Sequence, residues 1–536
     1  MVTKKLQAES SMRVRLSMLR STVLTALCLR HWTARAYRSG YSDLERQVPF
    51  RIDTISEAGS VAKQFMAAQV LLLAEDGKLS LDDDIRRYLP EMPVYNRPVT
   101  IYHLLHHISG IREYGTLLAL KGYPRFYRTV HDNDTAFALI AGQRSLNFEP
   151  GDHFEYNNSN YVLLTRIVER VSGMSATEFG RQRLFKPLGM TATSWRNDAR
   201  TLVSGRAMAY RPAAAGYELF MPTENTYGHG ALLTTVADLE RWNTALISGA
   251  LSDFVTRHLL APGQLNDGST RPYGSGIILS DRSGQPVFHH GGITAGYYAE
   301  LWALPRSRIS IALLCNANVA NFAELAGQAA DVAMGLPAQK PVAASPMKPP
   351  SAPETTALFR SAGGELVSVG RSGEVTVVDL FTRGGPIGFS GSGKALLAST
   401  PLGRADLTWV SDDRLLLAIE NRETMRFERV APAPAKPLTQ GRYLSRDLRT
   451  HFQLSRDANG YRLDLEDPDA PDQVTFRLQW LTGENYRALV TSRSGALRDD
   501  MVITFDQKLQ RTTGFSMSSV AGLQGVDMLK FVRTSE

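Results

Sequence analysis

Two side chains one helical turn apart could form a nucleophile and its base. In Ser60-Val-Ala-Lys63, a hydroxyl and an amine stand three positions apart, so a helix would place both on the same face. The amine could take the hydroxyl proton if its pKa fell from about 10.4 to near neutrality, a cost of about 4 kcal/mol. The same spacing recurs at Ser345-Pro-Met-Lys348, in a proline-rich stretch where we expect no helix. Because Ser60 could equally be a helix N-cap, the spacing alone does not decide between these interpretations.

Two further motifs contain groups that could assist such a nucleophile. The triplet Tyr-Asn-Asn at 156–158 follows a turn-forming Glu-Pro-Gly and precedes an apolar, helix-like stretch. The triplet His-Gly-Gly at 290–292 follows a short strand-like run, and glycines beside a strand let a substrate backbone approach the sheet edge. Taken singly, Tyr156 could be a core aromatic and His290 a turn residue. Their order and spacing relative to Ser60 favour a shared site.

The elements that must position these motifs have mixed patterns. Residues 60–74 carry apolar side chains at helical spacing, 100–107 start with a threonine suited to an N-cap, and 235–238 predict a capping box that opens a helix. Residues 298–304 and 308–314 have strand-like patterns. This mixture predicts an α/β or α+β fold for the first part of the chain.

Proline-rich stretches then divide the chain. Residues 337–354 contain six prolines and 431–438 form a shorter version, and both should be extended linkers. Beyond the first linker, short alternating runs separated by turn residues replace helical periodicity, with a hairpin turn at 457–460. The predicted strands lie at 374–380, 405–410, 415–420, 450–454, 461–466, 474–480 and 501–505. We predict a domain at 1–336, the linker at 337–354, a β-rich domain at 355–430 and a β-barrel domain at 439–536.

Charge and composition exclude several classes of protein. The 536 residues include 60 Lys and Arg against 53 Asp and Glu, and the whole excess of +7 falls within residues 1–51. A nucleic-acid binder would spread its basic residues over a folded face, so we exclude that class. Two cysteines are too few for a disulfide framework, and no apolar run approaches the roughly 20 residues that span a bilayer.

The three motifs together resemble those of the serine hydrolases of the penicillin-binding protein and class C β-lactamase superfamily, which use S-x-x-K, Y-x-N and K-T-G or H-x-G. The resemblance covers roughly residues 20–336. It extends to the segments 40–45, 59–65, 76–82, 104–110, 187–190 and 273–276. It implies a β-lactamase/transpeptidase-like catalytic domain, with an antiparallel sheet flanked by helices. One or two small all-β, lipocalin-like barrel domains would follow.

The resemblance also implies roles for individual residues. Ser60 would be the acylating nucleophile, Lys63 the amine that activates it, and Tyr156 the partner base or proton shuttle. Asn158 would donate a hydrogen bond to the substrate amide. The backbone N–H groups of Ser60 and Ile293 would form the oxyanion hole, in which one donor is worth roughly 3 kcal/mol.

The third motif departs from the usual family pattern. His289 and His290 both satisfy H-x-G, and we prefer His290 because Gly291 and Gly292 then occupy the two positions after it. A histidine stands where most β-lactamases have lysine, and an imidazole is largely neutral at pH 7. It would anchor a substrate carboxylate less well than a permanent cation. Esters, amides or peptides with a free N-terminus are therefore favoured over β-lactams.

The domain plan resembles the D-aminopeptidase branch of this superfamily, and residues 441–448 look like the opening of its last barrel. The expected function is a serine hydrolase that cleaves amide or ester bonds of small substrates through an acyl-enzyme, with D-amino-acid peptides as candidates. The alternatives are an esterase or weak β-lactamase of the same family. An inactive family member that serves as a binding module is an alternative from another class.

We expect no cofactor and no metal. His103 and His107 have the i, i+4 spacing of a zinc pair, but no acidic partner completes an H-E-x-x-H motif. The expected partners are a small peptide, amide or ester substrate, with no nucleic acid and no transmembrane segment. The oligomeric state that we consider for this protein is a homodimer.

The basic N-terminal segment allows two interpretations. Residues 16–29 loosely imitate a secretory signal, with cleavage after Ala36. In the superfamily, however, the chain before the nucleophile supplies the first strands of the catalytic sheet, and 21–30 with 32–38 have the right length for that pair. Removing them would take an edge from the sheet, so we slightly favour the cytoplasm over the periplasm or secretion.

Overall fold

The fold is given by a computed structural model. The structure describes residues 25–31, 33–123, 131–317, 322–336, 357–361, 366–372, 375–379, 387–389, 395–400, 403–419, 424–492, 501–508, 511–519, 527 and 529–534. The predicted linker at 337–354, with its Ser345 and Lys348, lies outside the described residues. So does most of the signal-like segment at 16–29.

The first part of the chain combines helices with antiparallel strands. Its strands are β1 (Thr25–His31), β2 (Thr33–Ser39), β3 (Tyr41–Asp43), β4 (Val48–Pro49), β5 (Ser56–Glu57), β6 (Ser194–Trp195), β7 (Tyr210–Pro212), β8 (Tyr217–Leu219), β9 (Leu232–Thr234), β10 (Gly263–Gln264), β11 (Thr270–Arg271), β12 (Ile278–Arg282), β13 (Gln285–Thr294), β14 (Tyr297–Leu304) and β15 (Ile309–Cys315). Its α-helices are α1 (Ala62–Glu75), α2 (Ile101–Leu105), α3 (Tyr114–Leu120), α4 (Asn133–Ala141), α5 (Asn158–Ser172), α6 (Ala176–Gly180), α7 (Val236–Ser248), α8 (Asp253–Leu260) and α9 (Phe322–Ala333). Single 3₁₀ turns lie at Gly59–Val61 and Ile85–Arg87, and a π-helical turn at Arg181–Phe185.

A six-stranded antiparallel sheet in the order β12-β13-β14-β15-β1-β2 supports the site. Each residue of β15 is buried, because both faces of this strand are covered. On one face Ile311 and Leu313 pack with residues of α9. On the other face Ala312 and Leu314 belong to the large core that includes α1 and α5. The predicted antiparallel sheet flanked by helices is confirmed.

The N-terminal strand pair predicted at 21–30 and 32–38 is present as β1 and β2. Strand β1 lies between β15 and β2, with Thr25 opposite Cys315 on one side and Ser39 on the other. Strands β1 and β2 therefore complete the six-stranded sheet beside β15, and the first four residues of the predicted pair, 21–24, lie outside the described residues.

Helix α1 follows directly from the 3₁₀ turn that carries Ser60. Its residues are mostly Ala, Leu, Gln and Met, which favour helix, and it is buried over most of its length. It ends at Glu75, with Asp76 as the C-cap and Gly77 next at a φ of +68°. This helix is the central element on which Lys63 is mounted.

The helix starts predicted at Thr100 and Thr235 are both present, with one difference from the prediction. Thr100 caps α2, and His103 completes the reciprocal bond of a capping box through its side chain. Thr235 caps α7 by accepting from the Asp238 N–H, but the Asp238 carboxylate does not return to Thr235. Instead it accepts hydrogen bonds from Ala192 N and from the Thr193 hydroxyl, 2.9 and 2.8 Å away. The capping box predicted at 235–238 is therefore only half formed, because a tertiary contact takes the carboxylate.

The strands beyond the first part form two separate units. The first comprises β16 (Ala357–Ser361), β17 (Leu366–Ser372), β18 (Val375–Asp379), β19 (Ile387–Phe389), β20 (Ala395–Thr400), β21 (Gly403–Ser411), β22 (Arg414–Ile419) and β23 (Met425–Arg429). The second comprises β24 (Gly441–Ser445), β25 (Thr450–Asp457), β26 (Gly460–Glu466), β27 (Val474–Thr482), β28 (Asn485–Ser492), β29 (Met501–Lys508), β30 (Arg511–Ser519) and β31 (Leu529–Arg533). Each strand predicted from alternation is present, and the hairpin at 457–460 joins β25 to β26.

The two units differ in closure. Strands β24–β31 form a closed antiparallel barrel, whereas β16–β23 form an eight-stranded sheet whose outer strands, β19 and β20, are not paired with each other among the described residues. The barrel interior is filled by aromatic side chains, and Phe515 stacks on Phe531 with ring centroids 4.5 Å apart. The prediction of one or two barrels is therefore met by one closed barrel and one open sheet. The predicted boundaries at 336, 355 and 439 stay predictions.

The barrel core continues into the catalytic domain through α3. Leu117 and Leu120 are fully buried among barrel residues such as Leu448, while Tyr114 and Leu118 on the same helix belong to the catalytic core. Helix α3 thus contributes to two hydrophobic cores. In the described part of the chain, no helix is long and apolar enough to cross a bilayer.

Candidate active site

The turn that carries Ser60 is in contact with the edge of β13. Gly59 has a φ of +50°, and a Cβ added there would lie 2.5 Å from Ile293 N. A Cβ added to Gly292 would lie 2.0 Å from Ala58 O and 2.8 Å from Ser60 N. Only glycine fits at both positions, because the two backbones approach too closely for any side chain. This packing brings the backbone amides of Ser60 and Ile293 together beside the Ser60 hydroxyl.

Lys63 contacts three oxygen atoms from different parts of the chain. Its Nζ lies 3.1 Å from Ser60 Oγ, 2.8 Å from Asn158 Oδ1 and 2.8 Å from His229 O. The side chain is fully buried, so these contacts replace the hydration that the amine would have in water. The contacts with Asn158 and His229 use two N–H donors of the nitrogen and fix it beside the Ser60 hydroxyl.

Tyr156 lies on the other side of Lys63. Its ring centroid is 4.7 Å from Lys63 Nζ, within the range of a cation–π contact. The ring packs against His107, with centroids 4.5 Å apart, and against Tyr273 in an edge-to-face arrangement at 6.1 Å. The phenol is therefore held between the amine and two aromatic neighbours, next to the proton-accepting group.

Asn158 is the first residue of α5, and both its backbone and its side-chain amide are fixed by hydrogen bonds. Its backbone N–H and its side-chain Nδ2 both donate to the buried carboxylate of Glu113, at 2.7 and 3.2 Å. Its Oδ1 accepts from Lys63. A carboxamide has two N–H donors, and among the described residues one of them is used by Glu113. The arrangement orients the amide on Lys63 and leaves its second N–H for a substrate carbonyl.

His290 is the histidine that faces this site. Its ring lies 5.8 Å from the Tyr156 ring and 5.9 Å from the Tyr273 ring, whereas the neighbouring His289 packs on Trp302, on the other face of the sheet. Its Nδ1 contacts the Gly291 carbonyl, which can only accept, so Nδ1 carries the proton and Nε2 accepts from the Tyr273 hydroxyl at 3.2 Å. Residues 290–292 lie within β13, although the sequence placed them after a strand.

Burial keeps His290 neutral. Desolvation, and then the positive charge of Lys63, lowers the pKa of His290 to about 3. The third motif of this chain therefore supplies a neutral hydrogen-bonding group over the whole range in which proteins normally function.

Four residues that hold the site together were not predicted from the sequence. Glu113, His107, Tyr273 and His229 are buried, and each contacts one of the predicted site residues through its side chain or carbonyl. Tyr273 and His107 belong to segments that were noted as family-like, 273–276 and 104–110. Glu113 and His229 had no comparable signal, because their contacts join positions far apart in the chain.

His107 and His103 have separate tasks. His107 has a φ of +59°, and its Nδ1 accepts from Asn157 N at 3.1 Å, which aligns the residue after Tyr156. His103 Nδ1 accepts from Thr100 N in the capping box of α2. Of this i, i+4 pair, His103 thus takes part in the capping box of α2, and His107 packs in the aromatic cluster with Tyr156 and Tyr273.

A buried carboxylate lies behind the edge of β13. Glu300 on β14 pairs with Gly291, and a Cβ on Gly291 would lie 2.5 Å from Glu300 Oε1. Trp302 Nε1 donates to the other oxygen at 3.0 Å. Burial raises the pKa of Glu300 to about 7, with the hydrogen bond from Trp302 acting in the opposite direction.

Glu300→Gln is expected to remove a pH dependence of stability. Because the pKa of Glu300 in the folded protein is above its value of 4.5 in the unfolded chain, the folded state binds more protons between these two values. The associated stability is fully present below pH 4.5 and is lost as the pH rises through about 7, on the order of 2 to 3 kcal/mol between pH 5 and 8. Urea midpoints of wild type and variant at both pH values measure it. Glu324→Gln, at an exposed position on α9, is the control, and equal pH slopes for wild type and Glu300→Gln would contradict the assignment.

A family model described as Beta-lactamase matches residues 23–334. The D-aminopeptidase of Gluconobacter oxydans (strain 621H) is 28% identical over 287 residues, 52% of this chain and 52% of that protein. Penicillin-binding protein 4* of Bacillus subtilis (strain 168) is 32% identical over 279 residues, 47% of this chain and 59% of that protein. The chain thus spans about half the length of the curated relatives it matches.

A solved structure extends the likeness beyond the catalytic domain. The octameric penicillin-binding protein homologue from Pyrococcus abyssi superposes with a TM-score of 0.56 at 22% identity, over 79% of this chain and 99% of that one. At this identity the match shows a common fold.

Proposed function

This chain belongs to the beta-lactamase family, and we propose that it is a serine hydrolase that forms an acyl-enzyme on Ser60. The observation that supports this most directly is the 3.1 Å contact between Lys63 Nζ and Ser60 Oγ, with the same nitrogen fixed by Asn158 and His229. A serine hydroxyl is a weak nucleophile, and it requires an adjacent base that is itself oriented by a further group.

The proposed reaction has two halves. In the first, Ser60 Oγ attacks the carbonyl carbon of an amide or ester while its proton passes to the unprotonated amine of Lys63. The resulting oxyanion accepts hydrogen bonds from the N–H groups of Ser60 and Ile293. Collapse breaks the bond to the leaving amine or alcohol, which takes a proton by way of Tyr156. In the second half, water attacks the acyl-enzyme with the same groups acting in reverse, and the acid is released.

We further propose that the substrates are small peptides or amides with a free N-terminus, including those of D-amino acids. The neutral His290 is the main support, because a β-lactam or a D,D-peptide presents a carboxylate that a cation would hold at this position. Two curated relatives named D-aminopeptidase, from Gluconobacter oxydans and Brucella anthropi, agree with this substrate class.

The proposed acyl-enzyme is tested by covalent labelling. We expect a fluorophosphonate probe to form one adduct on Ser60 of the folded protein, located by peptide mass spectrometry, and none on Ser60→Ala. An inactive binding module would give no adduct in either protein. Ser345→Ala, which alters the second S-x-x-K spacing of the chain, is the matched control and should label like the wild type.

Substrate class is tested on the same preparation. Nitrocefin, short-chain p-nitrophenyl esters and D-alanine p-nitroanilide report β-lactamase, esterase and D-aminopeptidase activity respectively. We expect turnover of the anilide, with L-alanine p-nitroanilide as the stereochemical control. Hydrolysis of nitrocefin alone would overturn the proposed substrate class without affecting the acyl-enzyme.

A further inference from the structure

The closed barrel reaches the catalytic domain through the turn between β24 and β25. Leu448 in this turn packs with Leu117 and Leu120 of α3 in one buried cluster. The preceding residue, Asp447, lies 3.0 Å from the guanidinium of Arg112, between its Oδ2 and Arg112 Nη1. The turn belongs to the segment 441–448, which the sequence singled out as the opening of the last barrel.

Arg112 is buried, and its side chain forms hydrogen bonds with residues of both domains. Its side chain is 1% exposed, and that of Asp447 is 16% exposed. Besides Asp447, the guanidinium donates to Gln143 Oε1, to Ser145 Oγ and to the backbone carbonyl of Asp527 in the barrel. Gln143 in turn donates to the Asp447 carbonyl at 3.1 Å. Such a buried charge requires its partners, because an unpaired guanidinium would remain desolvated.

The chain around Arg112 runs directly along the start of α5. The Arg112 carbonyl accepts from Ser159 Oγ at 2.7 Å, and the same Oγ accepts from Tyr114 N at 2.8 Å. The Ile111 carbonyl accepts from Asn157 Nδ2. Together with the two hydrogen bonds from Asn158 to the residue after Arg112, these contacts fix 111–114 against 157–159.

The same segment also reaches the second acceptor of Lys63. Tyr114 OH contacts His229 Nε2, and the His229 carbonyl lies 2.8 Å from Lys63 Nζ. Residues 112–114 therefore support two of the three oxygens around the Lys63 amine. The Ser60 hydroxyl is the third.

We propose that the C-terminal barrel positions the catalytic amine: Asp447, through Arg112, holds residues 112–114 in the register that places Asn158 Oδ1 and His229 O on Lys63. Asp447 and Arg112 are positioning residues, and the inference rests on the proposed function of Lys63. A displacement of about 1 Å at a catalytic group can cost about a hundredfold in rate, so a loosened segment should be visible in turnover.

Asp447→Asn tests this with a minimal change in shape. The amide can still accept from Arg112 but no longer neutralises it, so residues 112–114 should loosen. We expect kcat to fall about 10- to 100-fold with little change in KM, and phosphonylation of Ser60 to slow by a similar factor. Arg112→Lys should have the same effect, because an ammonium cannot reproduce the fork that joins Asp447, Ser145 and Asp527. Asp447→Glu should restore part of the rate.

Lys121→Met is the matched control for the interface. Lys121 Nζ donates to the Leu448 carbonyl at 2.9 Å, in the same turn, but Lys121 lies beyond α3 and off the path to Asn158. This variant should weaken the contact between the domains and leave kcat near the wild-type value. Melting temperatures of all variants show that each is folded.

Amide hydrogen exchange adds a readout that does not depend on turnover. In Asp447→Asn, the N–H groups of Tyr114 and Asn158 should exchange faster, whereas those in the centre of α7 should not change. Wild-type phosphonylation rates together with wild-type exchange would overturn the proposal, and so would an equal loss of rate in Lys121→Met. If the wild type itself formed no adduct, the proposed function would fail, and the exchange comparison alone would decide whether the barrel orders this segment.

Discussion

Lys63→Met is expected to lower kcat/KM by about a thousandfold or more. Methionine has nearly the length of lysine and is apolar, so it fits the fully buried site while removing the base that lies 3.1 Å from Ser60 Oγ. Loss of a positioned general base costs about 10²- to 10⁴-fold in rate. In this variant the Ser60 hydroxyl is also left without the group that activates it as a nucleophile. The rate of phosphonylation of Ser60 should fall in parallel with turnover of the best substrate in the panel.

The variant leaves two buried oxygens without their donor. Asn158 Oδ1 and His229 O would each lose the hydrogen bond from Lys63, at a cost of about 1 to 3 kcal/mol each, so the melting temperature must be measured alongside activity. Lys348→Met is the control, since it alters the other S-x-x-K spacing of the chain. A Lys63→Met protein that is folded and within tenfold of wild-type kcat/KM would show that another group activates Ser60.

Tyr156→Phe is expected to lower kcat by about 10²- to 10³-fold and to change KM little. The ring would keep its packing on His107 at 4.5 Å and its position over Lys63, so the change removes one hydroxyl and its proton. A proton shuttle of this kind contributes typically 10²- to 10⁴-fold, and it acts on the leaving group in the transition state.

Tyr227→Phe controls for the loss of a partly buried phenol. Its hydroxyl donates to Glu169 Oε1, away from Lys63, so activity should stay near the wild-type level. If both phenylalanine variants kept wild-type turnover, Tyr156 would be a packing residue, which is the plain alternative that the sequence left open.

The contact between Ser60 and Lys63 was predictable because their relation is local. Ser60 and Lys63 are joined by one helical turn, and helix geometry alone brings them together. Tyr156 and Asn158 were found from a triplet that opens a helix, and the structure places both beside Lys63. For these four residues, the residue types at fixed spacing carried the information.

The residues that support the site were not predictable in this way. Glu113 reaches Asn158 across 45 positions and His229 reaches Lys63 across 166, and neither stands in a short motif that could indicate a partner. The same holds for Arg112, whose partner Asp447 is 335 positions away in another domain. An isolated charged or polar residue gives no sign in a sequence of whether it will be buried, because its burial depends on which distant partner the fold supplies.

Strand prediction was incomplete beyond the first linker. Alternating runs were recognised in β18, β21 and β22, whereas β16, β17 and β23 were missed, although Phe359 and Phe427 are buried core residues of that sheet. Residues 290–292 were placed after a strand because glycine and histidine have low strand propensity. The close approach of the Ser60 turn, which excludes a side chain at Gly292, overrides that preference.

The position of β1 has a consequence for the order in which the protein is made. Strand β1 is paired with β15, so the ribosome must synthesise everything from Thr25 to Cys315 before the catalytic sheet can close. Until then β1 has only β2 as a partner, and the two strands form at most an isolated hairpin, which is marginally stable in water. Contacts of such long sequence separation also slow folding, because the chain loses the entropy of closing the loop before the strand pairing contributes any stabilising free energy. In the barrel, neighbouring strands are consecutive in the chain except for the closing pair β24 and β31, so most of its pairings span far shorter loops than the one that joins β1 to β15.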